Sequence, residues 1–392
     1  MAALSSDLLS EIAIPRFARD DNRKAQDVGE RTNPRYSFAM TSEQRAVLGL
    51  LALLFATPLH AQWTPQQSNT NAEFRGLVAV SPSVVWASGT RGRIARTTDG
   101  GKTWRVDSVP DATRLDFRDI FAARNGRAWA MSAGLADSGQ ARIFATRDGT
   151  HWTQQFETAQ KGVFLDAISF WDDDHGIAMS DPVDGKLFLI ATDDGGKTWT
   201  HIDTDKAPAV LPNEAAFAAS GTCLAVQGTS NVWIATGGGE RARVFRSTNR
   251  GRTWSVADTP LHAGNSAAGA FSVAFGDAQH GVVVGGEYSK PKQAFVNVAL
   301  SDDGGKTWRQ PKGPLPAGYM SGVAIIPATR GRSMVAVGLA GTARSDDAGE
   351  SWTMVDTVAY NSVAFASRDD GWAVGPRGRI AKWTPVRNAP KQ

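Results

Sequence analysis

The chain is 392 residues long, 21% charged, with a formal net charge of +3 and a single cysteine. So mild a basic balance argues against a dedicated nucleic-acid surface, which would gather Lys and Arg on one element. One thiol cannot close an internal disulfide, and Cys223, beside Leu224-Ala225-Val226, reads as a small buried hydrophobe.

Residues 1–39 do not pattern as a folded unit. Arg16 to Arg35 is dense in Arg, Asp and Asn without an apolar period, so this stretch is expected to be disordered or an over-extended start ahead of Met40. From Met40 the character changes. Arg45 is followed by the apolar run Ala46 to Ala56 and then by Thr57-Pro58-Leu59-His60-Ala61. A basic start, an apolar run of about 7–15 residues and a small residue at the cut make a secretory signal, and the run is shorter than the span of about 20 that a membrane helix needs. Residues 40–61 are therefore expected to be a signal peptide cleaved after Ala61. The mature chain, 62–392, is then periplasmic or secreted and has no membrane span.

The mature chain is built on one frame, Ser/Thr-x-Asp-x-Gly-x-Thr-Trp. It is written at 97–104, 192–199 and 301–308, with Asn249 for Asp at 247–254, with Ala348 and Glu350 at 345–352, and one residue short at 146–152. Asp and Asn accept hydrogen bonds from backbone N–H groups a few residues on, Gly supplies positive φ, and the Trp covers the turn. Asp99, Trp104, Asp148, Trp152, Asp194, Trp199, Asn249, Trp254, Asp303, Trp308, Asp347 and Trp352 are accordingly read as structural. Gly305-Lys306-Thr307 looks like the end of a phosphate loop. That motif needs Gly five residues earlier, where the three full copies carry Arg96, Ala191 and Leu300.

Between the frames lie short β-forming runs punctuated by Gly, Pro and Asp. Blade one takes 77–80, 84–87, 93–96 and a strand from Trp104. The same cycle recurs in blades two to six; the third strand of blade five is placed at Phe295-Val296-Asn297-Val298. A seventh cycle (362–365, 371–374, 379–382) ends without a frame or a fourth strand. Trp63-Thr64-Pro65-Gln66 has no blade of its own and supplies the missing strand. The expected fold is all-β: a seven-bladed β-propeller of four-stranded antiparallel blades, closed by its N-terminal strand.

The frame resembles the Asp-box, or BNR repeat, found at blade turns in sialidases, sortilin-type receptors and photosystem II assembly factors. With Gly371-Trp372-Ala373-Val374-Gly375 and its echo Trp86-Ala87-Ser88-Gly89, the chain is similar to the Ycf48/Hcf136-like photosystem II stability and assembly factors. That resemblance implies a seven-bladed, exported, non-catalytic protein that holds partner polypeptides, and the chain is expected to be a monomer.

In a propeller the frames lie on one face. Loops between strands two and three, and between blades, converge on the other. Side chains of those loops that the repeat does not require are the candidate binding face: Arg91, Arg93, Arg118, Asp166, Asp181, Glu214, Glu240, Arg241, Glu287, Tyr288, Arg377 and Arg379. Its carboxylates could instead serve a glycoside hydrolase, which needs a paired acid and base, or another propeller enzyme, with carbohydrate as ligand. A sialidase would need Arg-Ile-Pro, and Arg93-Ile94-Ala95, Arg142-Ile143-Phe144 and Arg379-Ile380-Ala381 all lack the Pro. No nucleophile and no metal-ligand spacing stands out, so no catalytic residue, metal or cofactor is assigned. His175 and His280, each in Asp-x-x-His-Gly, fall at equivalent turns of different blades.

Overall fold

The structure, a computed structural model, describes residues 62–385. Segments 1–39 and 40–61, read above as an over-extended start and a signal peptide, lie outside the described residues. The repeated frame folds alike wherever it is written in full. In the first copy the Thr97 hydroxyl donates to Asp99 Oδ1 (2.8 Å) and accepts the Gly101 N–H (2.9 Å). Asp99 in turn accepts the Thr103 N–H (2.9 Å) and hydroxyl (2.6 Å). Asp194, Asp303 and Asp347 repeat the pattern, and Asn249 reproduces it by donating from Nδ2 to Thr253 Oγ1. These donors, led by the Thr198 backbone N–H, hold the Asp194 carboxyl down at about 2. In the short copy Asp148 takes the Thr150 and His151 N–H groups and the His151 ring instead.

Each frame follows the third strand of an antiparallel sheet and, in every blade that carries one but blade five, leads into a fourth; there are seven sheets among the described residues. Blade one comprises Phe74–Ala79, Val85–Gly89, Arg93–Thr97 and Arg105–Ser108. Blades two, three and four open with Asp116–Ala122, Leu165–Phe170 and Leu224–Gln227, and blades five, six and seven with Ala268–Phe275, Gly322–Ile325 and Ser362–Phe365. First strands line the axis and fourth strands form the rim.

Blade five departs from expectation twice. Its third strand is Val298–Ser301, three residues later than the sequence suggested, because it must run straight into the frame at Ser301. Its fourth strand is reduced to one bridge, Leu300 to Arg309. Pro311, Pro314 and Pro316 follow, and residues without an N–H cannot extend a ladder.

The ring closes as expected. Trp63–Gln66 pairs antiparallel with Ile380–Trp383 in the last sheet, with Trp63 opposite Trp383 and Gln66 opposite Ile380. The Trp63 ring is 4% exposed, packs edge-on to Trp383 at 5.0 Å, and donates from Nε1 to Thr342 Oγ1 of blade six (3.0 Å). One strand thus completes a blade and ties it to its neighbour. Trp63→Ala is expected to cost about 3–5 kcal/mol, the usual range for an emptied aromatic core site. Deleting 62–67 should lower the melting temperature further by exposing the edge of the last blade; an unchanged melting curve for the deletion would contradict closure by this strand.

Candidate functional site

Among the described residues, it is the long connection between blades three and four that enters the axial channel. Residues 217–222, Phe-Ala-Ala-Ser-Gly-Thr, touch the axial lining of all six other blades. From blade one, Arg75 Nη1 donates to Ala219 O (3.4 Å). In blade two, Gly221 lies so close to Asp119 that a Cβ at this position would come within 2.1 Å of Oδ1, and its φ of 73° also favours glycine. In blade three, the Ala218 backbone lies beside the Asp166 carboxyl. Ser220 Oγ donates to Ser321 O at the start of blade six (2.7 Å), and Ser362 Oγ of blade seven donates to Ser220 O (3.1 Å). Thr222 Oγ1 meets Ser272 Oγ of blade five (2.6 Å), and Phe217 stacks on Phe271 at 3.8 Å. Small side chains let the backbone reach the axis, and inner-strand hydroxyls satisfy its polar groups.

The sequence-predicted carboxylates do not gather into one open group. Asp166 and Asp181 are brought together on the channel wall, but both serve the plug: Asp181 Oδ1 accepts the Ala216 N–H (2.9 Å). Asp166 is 1% exposed and its Oδ2 has no partner among the described residues. Burial, and then the Asp181 charge, push the Asp166 carboxyl well above the usual range; burial lifts Asp181 to about 6. Asp119, which accepts the Ile120 and Ile168 N–H groups, is raised by burial to about 8. Arg118 faces this group but pairs with Asp116 (2.8 Å). Glu214, buried, is consumed by Arg243, with further bonds from Thr236 Oγ1 (2.6 Å) and the Leu211 N–H (2.7 Å). Glu287, also buried, accepts from Ser289 Oγ (2.7 Å), His262 Nε2 (3.1 Å) and Lys290 Nζ (3.1 Å), which bring it to about 2. Glu240 and Arg241 are exposed on the face, Arg241 pairing with Asp258 (2.7 Å).

The arginines behave differently. Arg91 and Arg377 sit at left-handed turn positions (φ 62° and 59°), each followed by Gly and a second Arg. Arg91, Arg93 and Arg377 make no ion pair among the described residues, and Arg379 donates to Ala359 O. Arg93, Arg377 and Arg379 line a cavity of about 700 Å³ with Ser68 to Asn71 at the ring closure. Large exposed apolar side chains share this face. Leu135, Tyr288 and Leu339 lie in loops between second and third strands, and Val358 in the connection into blade seven. His175 and His280 face the other way, each closing its own turn on Asp172 or Asp277 (both 2.8 Å).

No family model and no curated protein matches the chain. Solved structures do. A structure of YCF48 bound to D1 peptide superposes with a TM-score of 0.59 at 15% identity, covering 83% of this chain and 96% of that one. YCF48 from Cyanidioschyzon merolae gives 0.59 at 16% identity, covering 83% and 100%. The fold is that of a Ycf48-like β-propeller. At this identity the likeness is one of fold, and the sequence resemblance in the repeated turns points to the same architecture.

The raised carboxyls fix a pH dependence. An unfolded Asp has a pKa of about 4. Between that value and their higher folded values, the folded state keeps protons that the unfolded state releases, so stability falls as pH rises. The melting temperature is expected to drop from pH 5 to pH 8, and Asp166→Asn, neutral throughout, to flatten the drop. Identical pH slopes for wild type and variant would show that Asp166 is ionised in the plugged channel.

Proposed function

We propose that the protein is an exported, non-catalytic scaffold whose loop face captures a polypeptide partner. The observation that carries this reading is the division between faces: unpaired arginines of blades seven and one, and the exposed Leu135, Tyr288, Leu339 and Val358, all lie on the loop face. Apolar side chains rimmed by cations suit a segment that presents hydrophobic and acidic residues together. Carboxylates that an enzyme would need are spent on the plug, on Arg243 or on Ser289, His262 and Lys290. The D1 peptide bound to one structural neighbour is a precedent for a ligand of this kind on this fold. Export is supported by the sequence of residues 40–61, and expression from Met40 should yield a periplasmic form beginning at Gln62.

Partner capture by the immobilised mature protein tests the scaffold. Arg93→Glu combined with Arg377→Glu should slow association by about tenfold at low ionic strength, with the difference shrinking as salt is added and the melting temperature unchanged. Capture indifferent to the reversal would move the interface off this face. Hydrolysis of an aryl glycoside panel that disappears in Asp181→Asn or Glu287→Gln would replace the scaffold by a glycosidase, since a lost general acid or base costs about 10²–10⁴-fold.

A further inference from the structure

Seams between blades are filled in two ways, and one seam shows neither. In four of them the second strand of one blade carries a fully buried indole facing the next blade: Trp86, Trp129, Trp233 and Trp372. Trp129 Nε1 donates to Gly195 O (3.1 Å) and Trp233 Nε1 to Gly304 O (2.8 Å), both carbonyls at the fourth position of the next blade's repeated turn. In the other two a cation on the third strand lies near the indole and donates instead. Arg96, 4.5 Å from the Trp86 ring centroid, bonds Asp148 O (3.2 Å); Lys382, 5.1 Å from that of Trp372, bonds Gly100 O (3.0 Å).

Strand register identifies what the seam between blades five and six lacks. Trp86 stands opposite Arg96, Trp129 opposite Ala145 and Trp233 opposite Arg246, each partner being the residue just before the frame. In blade five that pair is Val282 and Leu300. Neither has a side-chain donor. The carbonyl equivalent to those of Gly195 and Gly304 is that of Ala348, and no donor reaches it among the described residues, although the Ala348 N–H bonds Arg332 O (2.8 Å). Leu300 covers Gly349, where a Cβ would meet its Cδ2 at 2.7 Å, as the Trp233 indole covers Gly305. A leucine does not fill an indole's space. What is left is a cavity of about 680 Å³ lined by Gly281, Leu300, Ile325, Met334 and Ala348.

Other seams without the Trp are closed. Between blades three and four, Ile177, Ile202 and Trp254 crowd Gly251; between six and seven, Trp63 and Trp383 pack with Val335. We propose that the cavity between blades five and six binds a ligand bearing an indole ring, seated against Leu300, Ile325 and Met334 with its N–H on the Ala348 carbonyl. Its size falls in the range of ordinary ligand pockets, about 300–1,000 Å³; its wall is apolar at Leu300, Ile325 and Met334, and Asp277, His280, Asp302 and Arg330 line the rest, so the Ala348 carbonyl is the acceptor beside the apolar wall where an indole ring would lie. Four indoles of the chain itself occupy the equivalent slot elsewhere in the ring. The cavity opens on the frame face, so its occupancy is independent of partner capture on the loop face.

Calorimetric titration of the protein with indole, 1-methylindole and N-acetyl-L-tryptophanamide tests the assignment. Indole should bind, and 1-methylindole should bind at least about tenfold more weakly, because it leaves the Ala348 carbonyl unpaired. Val282→Trp should supply the indole from within, raise the melting temperature and abolish binding. If that variant does not fold, Ile325→Trp at the cavity wall blocks the same space. Binding of the tryptophanamide as tightly as indole assigns the slot to a Trp side chain of a partner chain, and binding of indole alone assigns it to a small free aromatic. The proposal is overturned if neither indole compound binds, if 1-methylindole binds as well as indole, or if binding persists in the folded blocking variant.

Discussion

A ring of twisted sheets leaves a hole at its axis that the sheets themselves cannot fill, and backbone placed there must find partners without water. Here the chain answers with its own residues 217–222. Several polar groups of the plug have counterparts on inner strands: Ser272, Ser321 and Ser362 on one side of the ring and Arg75 on the other. Because the plug touches the inner wall of every other blade, it acts as a common hub, and loss of one contact is shared among many. It also places chain where a propeller enzyme would hold its substrate, and that constraint turns attention from the channel to the outer parts of the two faces.

Around the hub, order is kept by two devices acting together. The repeated turn holds its glycines and carbonyls in fixed positions through Asp or Asn, as at Asp303 and Asn249. The preceding blade then uses those carbonyls as docking points for indoles, as Trp233 does at Gly304. The turn is therefore a component of the seam as well as of its own blade. The last blade has no such turn and is locked instead by Trp63, which bonds across to Thr342.

Most of this fold was legible in the sequence because its signals are local. Six copies of one frame marked six blades, a frameless strand cycle marked the seventh, and an orphan Trp63 beside that last blade announced the closure. Legibility failed where spacing was set by distant partners. Prolines after Trp308 suppressed a strand that the repeat promised, and the true third strand of that blade lay three residues on. The site was less readable. Arg91, Arg93, Arg377 and Arg379 were identifiable as loop residues from their repeated Arg-Gly-Arg, but Glu214 and Glu287 looked free until Arg243, His262 and Lys290 were found beside them. The plug left one trace, a run of small residues in an unusually long connection, and nothing in that run says that it crosses the axis.

The plugged channel is the claim on which the functional account depends, because it separates a binding scaffold from an enzyme with an axial site. Residue-resolved hydrogen exchange of the mature protein measures it directly. Amides held against the channel wall, such as that of Ala216 on Asp181, should be as protected as those of the innermost strands and exchange only with global unfolding. Exchange of those amides within seconds, at the rate of an exposed loop, would mean that the segment lies outside the channel and that the axis is open to a ligand.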